Sequence, residues 1–117
     1  MKSAGYLVER RKQERFNFRR KVFTQETSEL IGYVENLSLT GIKMKSMNPI
    51  PDEIEIKIWF GASEENEEEK RILLSVCKLW GSVSETVPPL YFSGLHFIYP
   101  SEEASDSIQK LISELSE

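Results

Sequence analysis

The stretch Ile54-Glu55-Ile56-Lys57-Ile58-Trp59-Phe60 has the clearest strand pattern in the chain, because aliphatic residues alternate there with other types. Successive side chains of a β-strand point to opposite faces, so this alternation predicts a strand with one buried face. The three isoleucines and Phe60 are expected to face the core. Glu55, Lys57 and Trp59 are expected to face solvent.

Five further segments of similar character predict strands on both sides of this one. Two of them, Leu30–Leu37 and Gly41–Met47, bracket the turn sequence NLSLTG. The segment TVPPL separates the last two strands, since proline cannot donate to a β-ladder. The other three predicted strands are Phe16–Thr24, Lys70–Val83 and Tyr91–Tyr99.

The C-terminal sequence PSEEASDSIQKLISELSE changes from a strand period to a helical one. Ser101 follows a proline and is a favourable N-cap, and the two glutamates after it suit the positive end of a helix dipole. The apolar residues then recur at helical spacing along one face: Ile108, Leu111, Ile112 and Leu115. Six short strands and one amphipathic helix predict a small all-β antiparallel barrel with a C-terminal α-helix packed across it.

The composition restricts the class of protein. A length of 117 residues suits one domain with one core. One cysteine, Cys77, excludes an intramolecular disulfide framework and fits a reducing compartment, and its apolar surroundings predict a buried structural thiol. One cysteine and one histidine cannot supply a closed zinc site. No apolar stretch reaches the roughly 20 residues of a membrane span, so we expect a cytoplasmic protein.

Positive charge is concentrated at the N-terminus of a chain whose net charge is −4. Residues 1–22 carry eight Lys or Arg against two Glu, a local charge of +6, which leaves −10 for residues 23–117. This asymmetry predicts an anionic partner near the N-terminus. We expect residues 1–8 to be a flexible lead-in and residues 9–117 to form the domain.

Enzyme motifs are absent from the sequence. There is no G-x-S-x-G elbow, no Walker loop and no G-x-G-x-x-G segment. His96 lies inside a strand pattern without a nucleophile or carboxylate at motif spacing. The sequence therefore predicts a protein that binds its partner without catalysis.

Two short motifs remain, and each is weak when taken alone. The first is R-x-x-x-R, formed by Arg11 and Arg15. The second is N-x-S-x-x-G, formed by Asn36, Ser38 and Gly41, which could also be a simple turn with an Asx bond and a glycine at positive φ. Their order and separation, followed by the strands and the helix, are far more restrictive.

With these motifs the chain resembles the PilZ domain family, bacterial receptors for cyclic di-GMP. The resemblance runs from about Glu9 to Leu115 and includes VCKLWGSV, similar to a late strand of the family, and SGLHF, similar to its G-x-x-F segment (Gly94, Phe97). It implies a six-stranded antiparallel barrel with a C-terminal helix. It also implies a nucleotide-binding receptor in second-messenger signalling, without a cofactor, that acts on a downstream partner protein.

The resemblance also implies which residues bind the ligand. Guanidinium groups can fork onto the O6 and N7 atoms of guanine, bind phosphate or stack on a purine. Asn36 stands where the family often has Asp, so binding should survive with altered strength. Arg15 and Arg19 form a second R-x-x-x-R, but FNF between them reads as the start of a strand, which favours the Arg11 register. The implied ligand contacts are Arg10, Arg11, Arg15, Asn36, Ser38 and Gly41, with Arg10 suited to a second, stacked ligand molecule.

Two other functions are compatible with the same fold. A PilZ-like module that binds no ligand could use the barrel or the helix face to contact a protein, although the two arginines argue against it. A small barrel with a basic arm could also bind single-stranded nucleic acid. The charge of −10 outside the arm disfavours a long polyanion, which needs an extended positive groove.

Overall fold

A computed structural model describes residues 16–52, 54–63 and 70–116. Six strands close into a barrel in the order β1-β2-β3-β6-β5-β4, and every pair of neighbours is antiparallel. The predicted fold is confirmed. Its elements are β1 (Phe16–Thr24), β2 (Leu30–Leu37), β3 (Gly41–Ser46), β4 (Ile56–Gly61), β5 (Arg71–Val83), β6 (Tyr91–Phe97) and the helix α1 (Glu102–Leu115).

The strict alternation predicted for Ile54–Phe60 is wrong at two positions. Ile54 precedes β4 and is 53% exposed, whereas Trp59 is only 2% exposed. Trp59 stacks on Phe23 of β1 at a ring-centroid distance of 4.5 Å. The Arg71 guanidinium covers the Trp59 ring, 4.0 Å from its centroid. Side chains of neighbouring strands therefore bury Trp59 on the face that was predicted to meet solvent.

The barrel interior is filled by aliphatic and aromatic side chains from all six strands. Phe18 and Phe60 meet edge to face inside it, with ring centroids 5.7 Å apart. Such contacts and the burial of apolar surface are the main stabilising contributions in a domain of this size. The fully buried core residues of the strands are Val22, Val34, Leu37, Met44, Ile58, Phe60, Ile72 and Val76.

Helix α1 closes the core against β5 and β1. Ser101 caps it as predicted, since its side-chain oxygen accepts a hydrogen bond from the Ala104 N–H at 3.1 Å. Ala104, Ile108 and Leu111 are buried, whereas Leu115 is partly exposed. The apolar face of the helix therefore serves the domain's own core over most of its length.

The structure differs from the sequence-based prediction in the bounds of some strands and in the burial of Cys77. Strands β3 and β6 end before the predicted Met47 and Tyr99. Cys77 is half-buried, not buried, because it alternates with the buried Ile72, Leu74 and Val76 and so lies on the opposite, outward face of β5. No helix in the described part of the chain is long and apolar enough to cross a membrane.

Candidate functional site

The turn between β2 and β3 is fixed by Ser38, which is buried. Its hydroxyl oxygen accepts hydrogen bonds from the backbone N–H groups of Thr40 at 3.3 Å and Gly41 at 3.2 Å. The same hydroxyl donates to the Gly41 carbonyl at 3.3 Å, and the Ser38 N–H donates to that carbonyl at 2.9 Å. The serine of the motif is therefore used by the turn itself.

Gly41 is required by a close approach between strands. Its φ is not positive, so the alternative of a left-handed glycine is wrong. Gly41 pairs with His96 of β6, and a Cβ atom at this position would collide with the Leu95 carbonyl oxygen. A backbone oxygen cannot turn away as a side chain can, so only glycine lets β3 approach β6 at this point.

Asn36 differs from the other two motif residues, because its amide is not used by the turn. It lies near the end of β2 and pairs with Asn17 of β1 on one side and Lys43 of β3 on the other. Its side chain is half-buried, and none of the described residues forms a hydrogen bond with it. Both the carbonyl oxygen and the NH₂ group of Asn36 are therefore open to a ligand.

The three motif residues line one shallow depression on the barrel surface. Its volume of about 80 Å³ is far below the several hundred Å³ of an enclosing ligand pocket. The depression can hold one edge of a nucleotide, but it cannot enclose one. Its other lining residues come from the turn and from β3, β5 and β6: Thr40, Ile42, Lys43, Leu79, Trp80, Gly94, Leu95 and His96.

Trp80 is a site residue that the motif comparison did not identify. A Cβ atom on Gly94 would collide with the Trp80 indole, so the ring lies directly over that glycine. The indole remains 38% exposed, and Leu79 beside it is 70% exposed. The pairing of Trp80 with Gly94 follows a register irregularity in β5. A tryptophan in VCKLWGSV and a glycine in SGLHF were visible in the sequence, but the contact between them depends on the β5–β6 register.

The described part of the depression carries little net positive charge. Lys43 is its one permanently charged lining residue, and the Lys43 Nζ lies 3.9 Å from a carboxylate oxygen of Glu35. Glu35 also lies 3.8 Å from the Lys45 Nζ. Among the described residues, no group of His, Cys, Asp and Glu is arranged to hold a metal ion. An anionic ligand would need cations from elsewhere.

The predicted contacts Arg10, Arg11 and Arg15 lie outside the described residues. Strand β1 begins immediately after them, and its first pairs are Phe16 with Leu37 and Asn17 with Asn36. The chain therefore enters the barrel beside the N-x-S-x-x-G motif.

The two arginines of the competing register lie elsewhere. Arg19 is exposed, and the Arg20 guanidinium lies 4.5 Å from the centroid of the Phe18 ring. Arg20 borders a groove beside α1, and neither arginine lines the depression. These positions favour the Arg11 and Arg15 register.

A comparison with protein-family models finds the PilZ domain over residues 9–114. The chain belongs to the PilZ domain family. A sequence comparison with curated proteins finds no match.

Three solved structures with the same fold are those of MrkH, PlzA and a PilZ domain of YcgR. The PilZ domain of Escherichia coli YcgR with c-di-GMP superposes with a TM-score of 0.68 at 12% identity, over 92% of each chain. MrkH from K. pneumonia in its apo state superposes with a TM-score of 0.62 at 11% identity, over 89% of this chain and 49% of MrkH. Borreliella burgdorferi PlzA in complex with c-di-GMP superposes with a TM-score of 0.55 at 14% identity, over 96% of this chain and 56% of PlzA. The chain thus spans about half of the last two proteins.

The contact between Gly94 and Trp80 in this PilZ domain can be tested without a ligand. We expect Gly94→Ala to push the indole off β6, because the added Cβ occupies the position of the ring. The tryptophan emission should shift to longer wavelength and become more accessible to iodide quenching. The buried Trp59 is the second tryptophan of the chain and serves as an internal reference. A Trp80→Phe variant would give the emission of Trp59 alone. Unchanged emission and quenching in Gly94→Ala would contradict the contact.

Proposed function

We propose that this PilZ domain is a receptor that binds cyclic di-GMP without chemistry and signals to a partner protein. The observation that carries the proposal is the register of β1, which pairs Asn17 with Asn36. Strand β1 therefore begins beside the depression, and in the sequence it directly follows the basic N-terminal segment. The c-di-GMP in the YcgR and PlzA structures supports the same ligand class.

The depression offers contacts for a guanine base and few for phosphate. The Asn36 amide can donate and accept along the polar edge of a purine. The exposed indole face of Trp80 can stack on a base, as aromatic side chains do in many nucleotide sites. Ser38 and Gly41 stay predicted ligand contacts. Ser38 also fixes the β2–β3 turn and Gly41 allows β3 to approach β6, so the fold itself gives a second reason for a serine and a glycine at these positions.

Phosphate recognition in this proposal comes from the N-terminal arginines. Cyclic di-GMP carries two phosphodiester charges, and Lys43 near Glu35 cannot balance them. Arg11 and Arg15, with Arg10 for a second stacked molecule, would supply forked guanidinium contacts.

The output follows from the size of the depression. A ligand that rests on a shallow surface leaves its outer side uncovered. In the sequence, the N-terminal arm directly precedes β1, whose first residues pair with Leu37 and Asn36. Ordering the arm over the ligand would create a new surface for a partner protein.

Isothermal calorimetry with cyclic di-GMP tests the proposal directly. We expect a dissociation constant in the micromolar range or tighter, about −8 kcal/mol or more favourable. GMP and a short single-stranded oligonucleotide are matched competitors, and both should bind much more weakly. Trypsin cleavage within residues 1–15 should slow when cyclic di-GMP is present, because the arm becomes ordered. Absence of heat, together with tighter oligonucleotide binding, would overturn the receptor function.

A further inference from the structure

His96 is the single histidine of the chain, and it lines the depression from β6 together with Gly94 and Leu95. It pairs with Gly41 of β3 on one side and with Cys77 of β5 on the other. The residue is exposed, unlike Leu95 and Phe97 on either side of it, which point into the core. Its imidazole therefore faces outward from the strand that runs next to the N-x-S-x-x-G motif.

The groups around His96 leave it as the one described side chain that can add charge to the depression near neutral pH. On β3, Lys43 lies near Glu35 of β2. On β5, the residue paired with His96 is Cys77. The neighbouring Lys78 Nζ donates a hydrogen bond to the Ile50 carbonyl at 2.7 Å and forms an ion pair with Asp52 at 2.9 Å. Lys78 does not line the depression.

We propose that His96 is a further contact for the bound nucleotide and that its protonation strengthens binding. The inference rests on the proposed receptor function. A protonated imidazole beside the depression adds a full positive charge and a second N–H donor where the ligand carries two negative charges. The neutral imidazole offers only a hydrogen bond or stacking.

The direction of the pH effect follows from linkage. A dianionic ligand stabilises the charged imidazole, so binding raises the affinity of His96 for its proton. The extra affinity is therefore fully present at low pH, where the imidazole is protonated. It is lost as pH rises and the imidazole of the ligand-bound protein gives up its proton. The phosphodiesters of cyclic di-GMP stay ionised throughout this range, so the ligand's own charge does not change.

Calorimetric titration with cyclic di-GMP between about pH 5.5 and 7.5 tests the inference, since histidine changes charge in this interval. We expect the affinity of the wild-type protein to rise about 3- to 10-fold as pH falls, which corresponds to a proton-affinity shift of up to about one pH unit. His96→Gln keeps a polar N–H donor but cannot titrate, and its affinity should be flat and close to the wild-type value at pH 7.5. His96→Lys carries a constant charge, so its affinity should be flat and close to the wild-type value at pH 5.5.

The outcomes separate the inference from the receptor function. His96 is exposed, so thermal melts of the three proteins without ligand should agree and exclude a folding effect. Parallel pH profiles for wild type and His96→Gln would overturn the inference and assign the titration to another group. A flat wild-type profile would overturn it as well. No binding of cyclic di-GMP by any variant at any pH would overturn the receptor function.

Discussion

Gly41→Ala is expected to lower the free energy of unfolding by about 2–4 kcal/mol, the scale of overpacking against a rigid neighbour. The new Cβ would collide with the Leu95 carbonyl oxygen, which is held in the β3–β6 ladder. Relief requires the two strands to separate. That separation would weaken the backbone pairing near the turn, including the hydrogen bond from the Phe97 N–H to the Thr40 carbonyl at 2.9 Å.

Gly81→Ala is the matched control for this prediction. A Cβ on Gly81 would lie 3.2 Å from the Lys78 Nζ, the end of a flexible side chain, and 3.6 Å from the Phe92 carbonyl oxygen. We expect that change to cost about 1 kcal/mol or less. The lysine needs to move only by a few tenths of an ångström, so it can keep its contacts with the Ile50 carbonyl and Asp52. Urea denaturation of both variants measures the difference. Equal stabilities for Gly41→Ala and wild type would show that β3 and β6 can separate without cost.

The β-strands were largely predictable, because each has a local pattern that a single sequence displays. Phe16–Thr24 and Leu30–Leu37 have the predicted bounds. The exceptions are positions where another strand decides burial. Trp59 is an outward residue by alternation, but Phe23 and Arg71 cover it. Both come from neighbouring strands, so a pattern within β4 cannot report them.

The candidate site divides in the same way. Asn36, Ser38 and Gly41 are close in sequence, and the short β2–β3 turn brings them together in the fold. Trp80 and His96 join them only because the barrel order places β6 next to β3 and β5 next to β6. The sequence also could not show why Gly41 is glycine, because the Leu95 carbonyl that excludes a side chain is 54 residues further along the chain.

The double variant Arg11→Ala/Arg15→Ala is expected to weaken cyclic di-GMP binding by at least about 25-fold. Each bidentate guanidinium contact with guanine or phosphate contributes about 1–3 kcal/mol, which is roughly 5- to 150-fold. The two single variants should each fall in that range. Their effects need not add, since both arginines would hold the same ligand. Calorimetry at two salt concentrations measures the loss, and the salt dependence should be smaller in the double variant.

Arg19→Ala/Arg20→Ala is the matched control, because it removes the same number of charges from the adjacent chain. Arg19 is exposed on β1, and Arg20 lies against Phe18 beside α1. Neither lines the depression, so removing them should change the affinity by less than about 3-fold, through weak long-range attraction alone. Arg20→Ala should still cost some stability, because its guanidinium covers an aromatic ring of the core.

The comparison of the two double variants also decides between the overlapping R-x-x-x-R registers. If Arg15 and Arg19 hold the ligand, Arg19→Ala/Arg20→Ala should lose as much affinity as the single variant Arg15→Ala. The single variant Arg11→Ala should then bind the ligand as tightly as wild type. The structure favours the opposite result, since the strand that carries Arg19 already pairs Asn17 with Asn36. Residues within β1 are held in the barrel wall, and neither Arg19 nor Arg20 lines the depression.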